Sequence, residues 1–145
     1  MLRNESAERR AQMKEITVDA VCENLELVTD FINDQLAQAG CPFRTQMQID
    51  IVIDEIFSNI AKFAYTPLHG KATVRIETAE REAVITFFDS GRHYNPLEQS
   101  APDITSPLEE REIGGLGLMI VKKMMDVVRY TYKNGQNILE MRKRF

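Results

Sequence analysis

The sequence predicts an α+β two-layer sandwich, with a mixed, mostly antiparallel sheet of about five strands and three helices on one face. Three observations predict it. One long segment, Thr45 to Tyr65, carries apolar residues at helical spacing, two shorter segments share that period, and the strand-like runs come late in the chain as consecutive pairs joined by polar turns. At 145 residues the chain has the size of one domain, and its 43% hydrophobic and 28% charged content suits one folded core instead of a disordered segment.

Residues 1–14 are dominated by charge and amide groups and read as a tail or a short solvated helix with no assigned function. Glu15 to Val21 alternates as a half-buried strand does. Asn24 then opens a helix through Leu25, Val28, Phe31, Ile32, Leu36 and Ala39, which Gly40 ends and Pro42 keeps from continuing. In the long helix Ile49, Val52, Ile53, Ile56, Ile60 and Phe63/Ala64 form one broad apolar stripe. Thr66 to Gly70 breaks it, and Ala72–Glu77 and Ala83–Phe88 read as a hairpin turning at Glu80 to Glu82.

From Arg92 to Ile113 no period is sustained, and Pro96, Pro102 and Pro107 punctuate a polar, acidic stretch. Unstructured loops beyond about 12–15 residues are uncommon inside a compact domain and tend to be functional, so 92–113 is a candidate lid. A third helix begins at the glycines after it, marked by Leu116, Ile120, Met124, Val127 and Val128. Two last strands, Val128–Tyr132 and Ile138–Arg142, turn at Asn134-Gly135.

The net charge of −4 argues against a nucleic-acid or anionic-membrane partner, because both require a basic face. No apolar run reaches the roughly 20 residues of a membrane helix. Cys22 and Cys41 form no CxxC or Cys/His cluster and the N-terminus has no apolar signal region, which points to a reducing, cytoplasmic setting. His69 and His93 lack neighbours at zinc-ligand spacing and read as solvent-facing. Met119, Met124 and Met125 follow the apolar helical face and read as core.

Three groups of residues remain. Glu55, Asn59 and Lys62, at i, i+4 and i+7, share one line of the long helix. Such a line is often only the solvated face, but asparagine is a mediocre helix former whose mid-helix position asks for a partner. Its amide oxygen suits Mg²⁺, and a carboxylate one turn earlier can accept a proton. Asp89-Ser90-Gly91 stands where an apolar strand ends and by itself reads first as a plain strand-ending turn, although such an Asp can also accept from an exocyclic amine such as that of adenine. Gly114, Gly115 and Gly117 account for three of the seven glycines and directly precede a helix, where backbone N–H groups and the helix dipole favour phosphate; a flexible hinge would use the same residues. A P-loop, a dinucleotide fingerprint and the H-R-D, D-F-G and V-A-I-K signatures of eukaryotic-type kinases are absent from the sequence.

Together and in this order the three groups resemble the nucleotide-binding boxes of the GHKL (Bergerat-fold) ATPase superfamily. Glu55 to Tyr65 resembles the N box, Asp89 to Pro96 the first glycine box, and Gly114-Gly115-Leu116-Gly117-Leu118 the second. The short chain and the run from Gly114 to Asp126 are similar, within that superfamily, to the bacterial anti-sigma factor serine kinases, over residues 15–145. The resemblance implies an ATP-binding kinase domain with ATP and Mg²⁺ as cofactors. Asn59 would ligate Mg²⁺, Asp89 recognise adenine with Gly91 shaping the pocket, Gly114 to Gly117 with Leu116 cradle the phosphates, Lys62 and Arg111 assist them, and Glu55 act as catalytic base. It implies as partners a sigma factor and an antagonist (anti-anti-sigma) protein phosphorylated on serine, and it allows a homodimer. The alternatives are a nucleotide-binding regulatory module that sequesters a partner without kinase activity, and a scaffold with a vestigial pocket. Two positions depart from the family pattern: Phe63, where relatives often have His before Ala-Tyr, and Asn137, where a late-strand Thr commonly helps bind adenine.

Overall fold

The computed structural model describes residues 12–98 and 115–145, the side chains of 115–117 excepted. In chain order it contains β1 (Gln12–Asp19), α1 (Leu25–Gln38), α2 (Phe43–Asn59) running into a π-helical turn (Ile60–Ala64), β2 (Lys71–Ala79), β3 (Glu82–Asp89), α3 (Gly115–Met124), β4 (Val127–Lys133) and β5 (Gln136–Arg144). The sheet order is β1-β2-β3-β5-β4, and each of the four pairings is antiparallel. The expected two-layer α+β sandwich is therefore present, with three helices and five strands among the described residues.

Local chemistry explains the element ends. The N–H groups of Gly40 and Cys41 return to the carbonyls of Ala37 and Leu36 at 3.1 and 2.9 Å, a Schellman closure in which Gly40 takes φ +79°. Asn33 Nδ2 donates to Asp50 Oδ1 at 2.9 Å and ties α1 to α2. β2 and β3 join through Glu80-Arg81, with Arg81 at φ 61°, and β4 and β5 through Asn134-Gly135, both with positive φ, as a two-residue I′ turn requires.

Register decides which residues reach the core. Val18, Ala72, Asp89 and Asn137 stand opposite one another across β1, β2, β3 and β5, and so do Ile76, Ile85, Met141 and Val128 across β2, β3, β5 and β4. Because side chains alternate, these rows share the face that the helices cover. Against them α1 buries Val28, Ile32 and Leu36, and α2 buries Ile49, Val52, Ile53, Ile56 and Phe57. Leu118, Val121 and Met125 add α3 to the same layer.

Several boundaries differ from the sequence reading. β1 starts at Gln12, so 12–14 pair with β2 and leave the tail, because Met13 and Lys14 continue the ladder opposite Glu77 and Ile76. α2 starts at Phe43, directly after Pro42. Met125 is buried and Met124 packs on the core, but Met119 is exposed, since at 100° per residue it turns away from Leu118 and Val121. Of the proposed lid, 92–98 is described, ending in a short 3₁₀ turn at Pro96–Glu98, and 99–113 lies outside the described residues. Among the described residues no helix is long and apolar enough to cross a membrane.

Candidate functional site

A cavity of about 290 Å³ opens between the C-terminal half of α2 and the ends of β3, β4 and β5. Ile56, Ile60, Phe87 and Leu139 give it apolar walls, Phe63 and Tyr94 stand at its edge, and Asp89 and Asn137 lie among its lining residues. Both polar residues are buried, at 7% and 9% exposure, which makes their partners decisive.

Asp89 Oδ1 accepts from Gly91 N and from Asn137 Nδ2, each at 3.0 Å. Burial pushes the Asp89 carboxyl above its ordinary value, against those two hydrogen bonds, which favour the ionised form. Asn137 Nδ2 also donates to Arg92 O at 2.9 Å, and its Oδ1 accepts from Tyr94 N at 3.1 Å and from the Tyr130 hydroxyl.

The turn after Asp89 is clamped to the end of α2. Arg92 N donates to Ala64 O at 2.9 Å. A Cβ on Gly91 would lie 2.6 Å from Ala64 Cβ, so the approach demands glycine. Tyr65 adds a second clamp: its hydroxyl donates to Lys71 O at 2.6 Å and accepts from Ser90 N at 2.7 Å. His93 is exposed to solvent and stacks on Tyr132, with ring centroids 3.9 Å apart.

On the other side of α2 a groove of about 210 Å³ is lined by Ile51, Asp54, Glu55, Ser58, Asn59, Lys62 and Ile120. Glu55, Asn59 and Lys62 thus converge as their spacing predicted, although the helix widens to a π turn after Asn59. π turns recur where a helix must present side chains it otherwise could not. Asn59 Nδ2 donates to Glu55 Oε1 at 3.0 Å, which turns the amide oxygen away from the carboxylate. Asn59 lines both the apolar cavity and this groove.

Gly115, Leu116 and Gly117 form the first turn of α3, so the glycine run does enter a helix; Gly114 and Arg111 lie outside the described residues. Tyr130 was not singled out from the sequence, because on a strand with Tyr132 and Val128 nothing marks one aromatic as polar in function.

The arrangement accommodates a flat apolar heterocycle that carries an amine: at the small end of ligand sites in volume, apolar on its sides, with a buried acceptor at its floor. The neighbouring groove supplies an amide oxygen and a carboxylate. Among the described residues no group of three or more His, Cys, Asp and Glu side chains is placed to hold a metal. A cation here would share the amide oxygen with oxygens of a bound ligand, as Mg²⁺ commonly does.

Fold and site together define a histidine kinase-like ATPase domain, and the sequence profile of that family matches residues 18–143: the chain belongs to it. Among its relatives is the serine/threonine-protein kinase BtrW of Bordetella bronchiseptica, 27% identical over 99 residues, 68% of this chain and 70% of that protein. The serine-protein kinase RsbW of Bacillus mycoides is 23% identical over 129 residues, covering 86% of this chain and 81% of its own. A solved structure of the RsbU and RsbW domains of a Mycobacterium tuberculosis protein superposes with a TM-score of 0.65 at 17% identity. The match covers 92% of this chain but 32% of that longer one. The histidine kinase AdeS of Acinetobacter baumannii gives a TM-score of 0.51 at 14% identity, over 99% of this chain and 74% of its own, a likeness of fold alone.

Proposed function

We propose that this domain binds Mg-ATP and transfers its γ-phosphate to a serine of a small antagonist protein that competes with a sigma factor for the same kinase. The observation that carries this reading is the position of Asn59, shared between an apolar cavity with a buried carboxylate and a polar groove with a second carboxylate. Adenine fits the cavity, with its 6-amino group donating to Asp89. The phosphates then pass Asn59 towards Glu55, with Lys62 and the first turn of α3 at Gly115 to Gly117 available to polyanionic oxygens. Arg111 and Gly114 belong to the same proposed set by sequence alone.

Asn59 would hold a bound Mg²⁺, which would supply positive charge to offset that of the phosphates during transfer. Asn59 offers the amide oxygen, kept in orientation by its 3.0 Å donation to Glu55. Glu55 accepts the proton of the incoming serine hydroxyl while that oxygen bonds to the γ-phosphorus; the bond to the β,γ-bridging oxygen breaks and ADP leaves with the electron pair. The names of BtrW and RsbW support protein-serine kinase activity as the chemistry.

The test is incubation with Mg-ATP and a candidate antagonist, followed by its intact mass. A gain of one phosphate is expected, and Glu55→Gln should abolish it while ADP still binds. Full activity in that variant would remove Glu55 from the mechanism, and nucleotide binding without any transfer would leave a nucleotide-controlled binding module.

A further inference from the structure

Asn137 lines the cavity, yet its amide is fully engaged by the protein. A primary amide has two N–H donors and two acceptor lone pairs. Here the donors go to Asp89 Oδ1 and Arg92 O, and the lone pairs take Tyr94 N and the Tyr130 hydroxyl. β5 sets Asn137 directly opposite Asp89 of β3, and Tyr130 reaches it from β4. One buried side chain therefore joins two strand partners to two points of the loop that follows Gly91.

We infer that Asn137 is a positioning residue for base recognition: it fixes the Asp89 carboxylate and the 92–94 backbone in one frame and offers no hydrogen bond to the base itself. The inference rests on the nucleotide reading above. Its geometric consequence is specific. Gly91 N and Asn137 Nδ2 both converge on Oδ1, so the second oxygen of Asp89 is the one presented to the cavity. A base with a 6-amino group meets an acceptor there, whereas a 6-oxo base sets its own carbonyl acceptor against that oxygen. The preference for adenine over hypoxanthine therefore depends on Asp89 staying ionised and in that rotamer.

Asn137 serves both conditions, since its donation favours the carboxylate over the acid. Among the described residues, the other titratable groups near Asp89 are Tyr65, directly after the π turn, and Tyr130 from β4, both phenols raised by burial, and Arg92 on the adjoining loop, whose guanidinium reaches Thr66 O. Removing the donation raises the Asp89 midpoint. Adenine binding, which requires the carboxylate, then fails at a higher pH as the solution is acidified.

Asn137→Thr and Asn137→Val test this as a pair of equal shape, since threonine retains a hydroxyl that can donate to Asp89 and valine does not. Two quantities decide the matter: the Asp89 carboxyl midpoint, followed by carbon-13 NMR in ligand-free protein, and the ratio of ADP to IDP affinity by calorimetry across pH. The valine variant should show a higher midpoint than the threonine variant and an ADP/IDP preference narrowed about tenfold relative to it. Equal midpoints and equal preferences in the two would overturn the inference. If the valine variant does not fold, Tyr130→Phe decides instead: it removes one partner of the amide and keeps the ring, and an unchanged ADP/IDP preference there overturns the inference too. Wild-type protein that binds neither ADP nor IDP would defeat the nucleotide reading, and one that binds both equally would overturn the recognition role alone; in either case the ligand-free midpoints report whether Asn137 holds Asp89.

Discussion

Replacing Asp89 with asparagine exchanges one oxygen for an NH₂ group and leaves the outline of the side chain intact. The retained oxygen can still accept from Gly91 N and Asn137 Nδ2, now at 3.0 Å each, so the turn keeps its anchor. What changes is the group facing the cavity, from an acceptor to a donor. An adenine 6-amino group would lose a hydrogen bond to a charged acceptor, about 1.5–3 kcal/mol, and set two donors against each other in a largely apolar cavity, about 1–3 kcal/mol more. The sum, about 2.5–6 kcal/mol, weakens ADP roughly 10²- to 10⁴-fold. Stability moves the other way. A carboxyl whose folded midpoint lies above its unfolded one carries no penalty below the unfolded midpoint and costs stability as pH rises through the folded one. Asp89→Asn removes that cost, so the ligand-free variant should melt at or above the wild-type temperature at pH 7, with the gain vanishing in acid. Calorimetry with ADP and thermal scans across pH measure both halves. A variant that binds ADP within threefold of wild type, or that loses several degrees at pH 7, would refute the reasoning.

Gly91→Ala forces a methyl group against Ala64 and should cost about 1–3 kcal/mol, read by urea denaturation, with weaker nucleotide binding because the Arg92 to Ala64 hydrogen bond is strained. Phe57→Ala removes a fully buried ring from the core face of α2 and should cost about 3–5 kcal/mol in the same assay. Asn59→Ala should abolish the magnesium dependence of ADP affinity while leaving magnesium-free binding close to wild type; equal magnesium dependence in both proteins would remove Asn59 as a ligand.

The sequence made local features legible and left non-local ones hidden. The apolar period from Thr45 to Tyr65 located α2 and its stripe of Glu55, Asn59 and Lys62, because periodicity is a property of neighbouring residues. Asn134-Gly135 located the last hairpin for the same reason, through the positive φ its turn requires. The π turn after Asn59 leaves no mark on composition and could not be read. Neither could the pairing of β3 with β5, which brings together Asp89 and Asn137, 48 positions apart. Asn137 was therefore visible as a departure in kind, but its four bonds to Asp89, Arg92, Tyr94 and Tyr130 depend on strand order, which no short window contains.

That strand order also bears on how the molecule comes together. β2–β3 and β4–β5 are hairpins closed by two-residue turns, whereas β3 meets β5 only after the intervening chain, α3 included, has been looped out. Closing such a loop carries an entropy cost that local hairpins avoid, so the seam between the hairpins forms late. The cavity lies across that seam, with Phe87 and Asp89 on one side and Tyr130, Asn137 and Leu139 on the other. A molecule that binds there holds the two halves shut, so amide hydrogens along β3 and β5 should slow their exchange with solvent in proportion to its occupancy, far beyond the residues it touches.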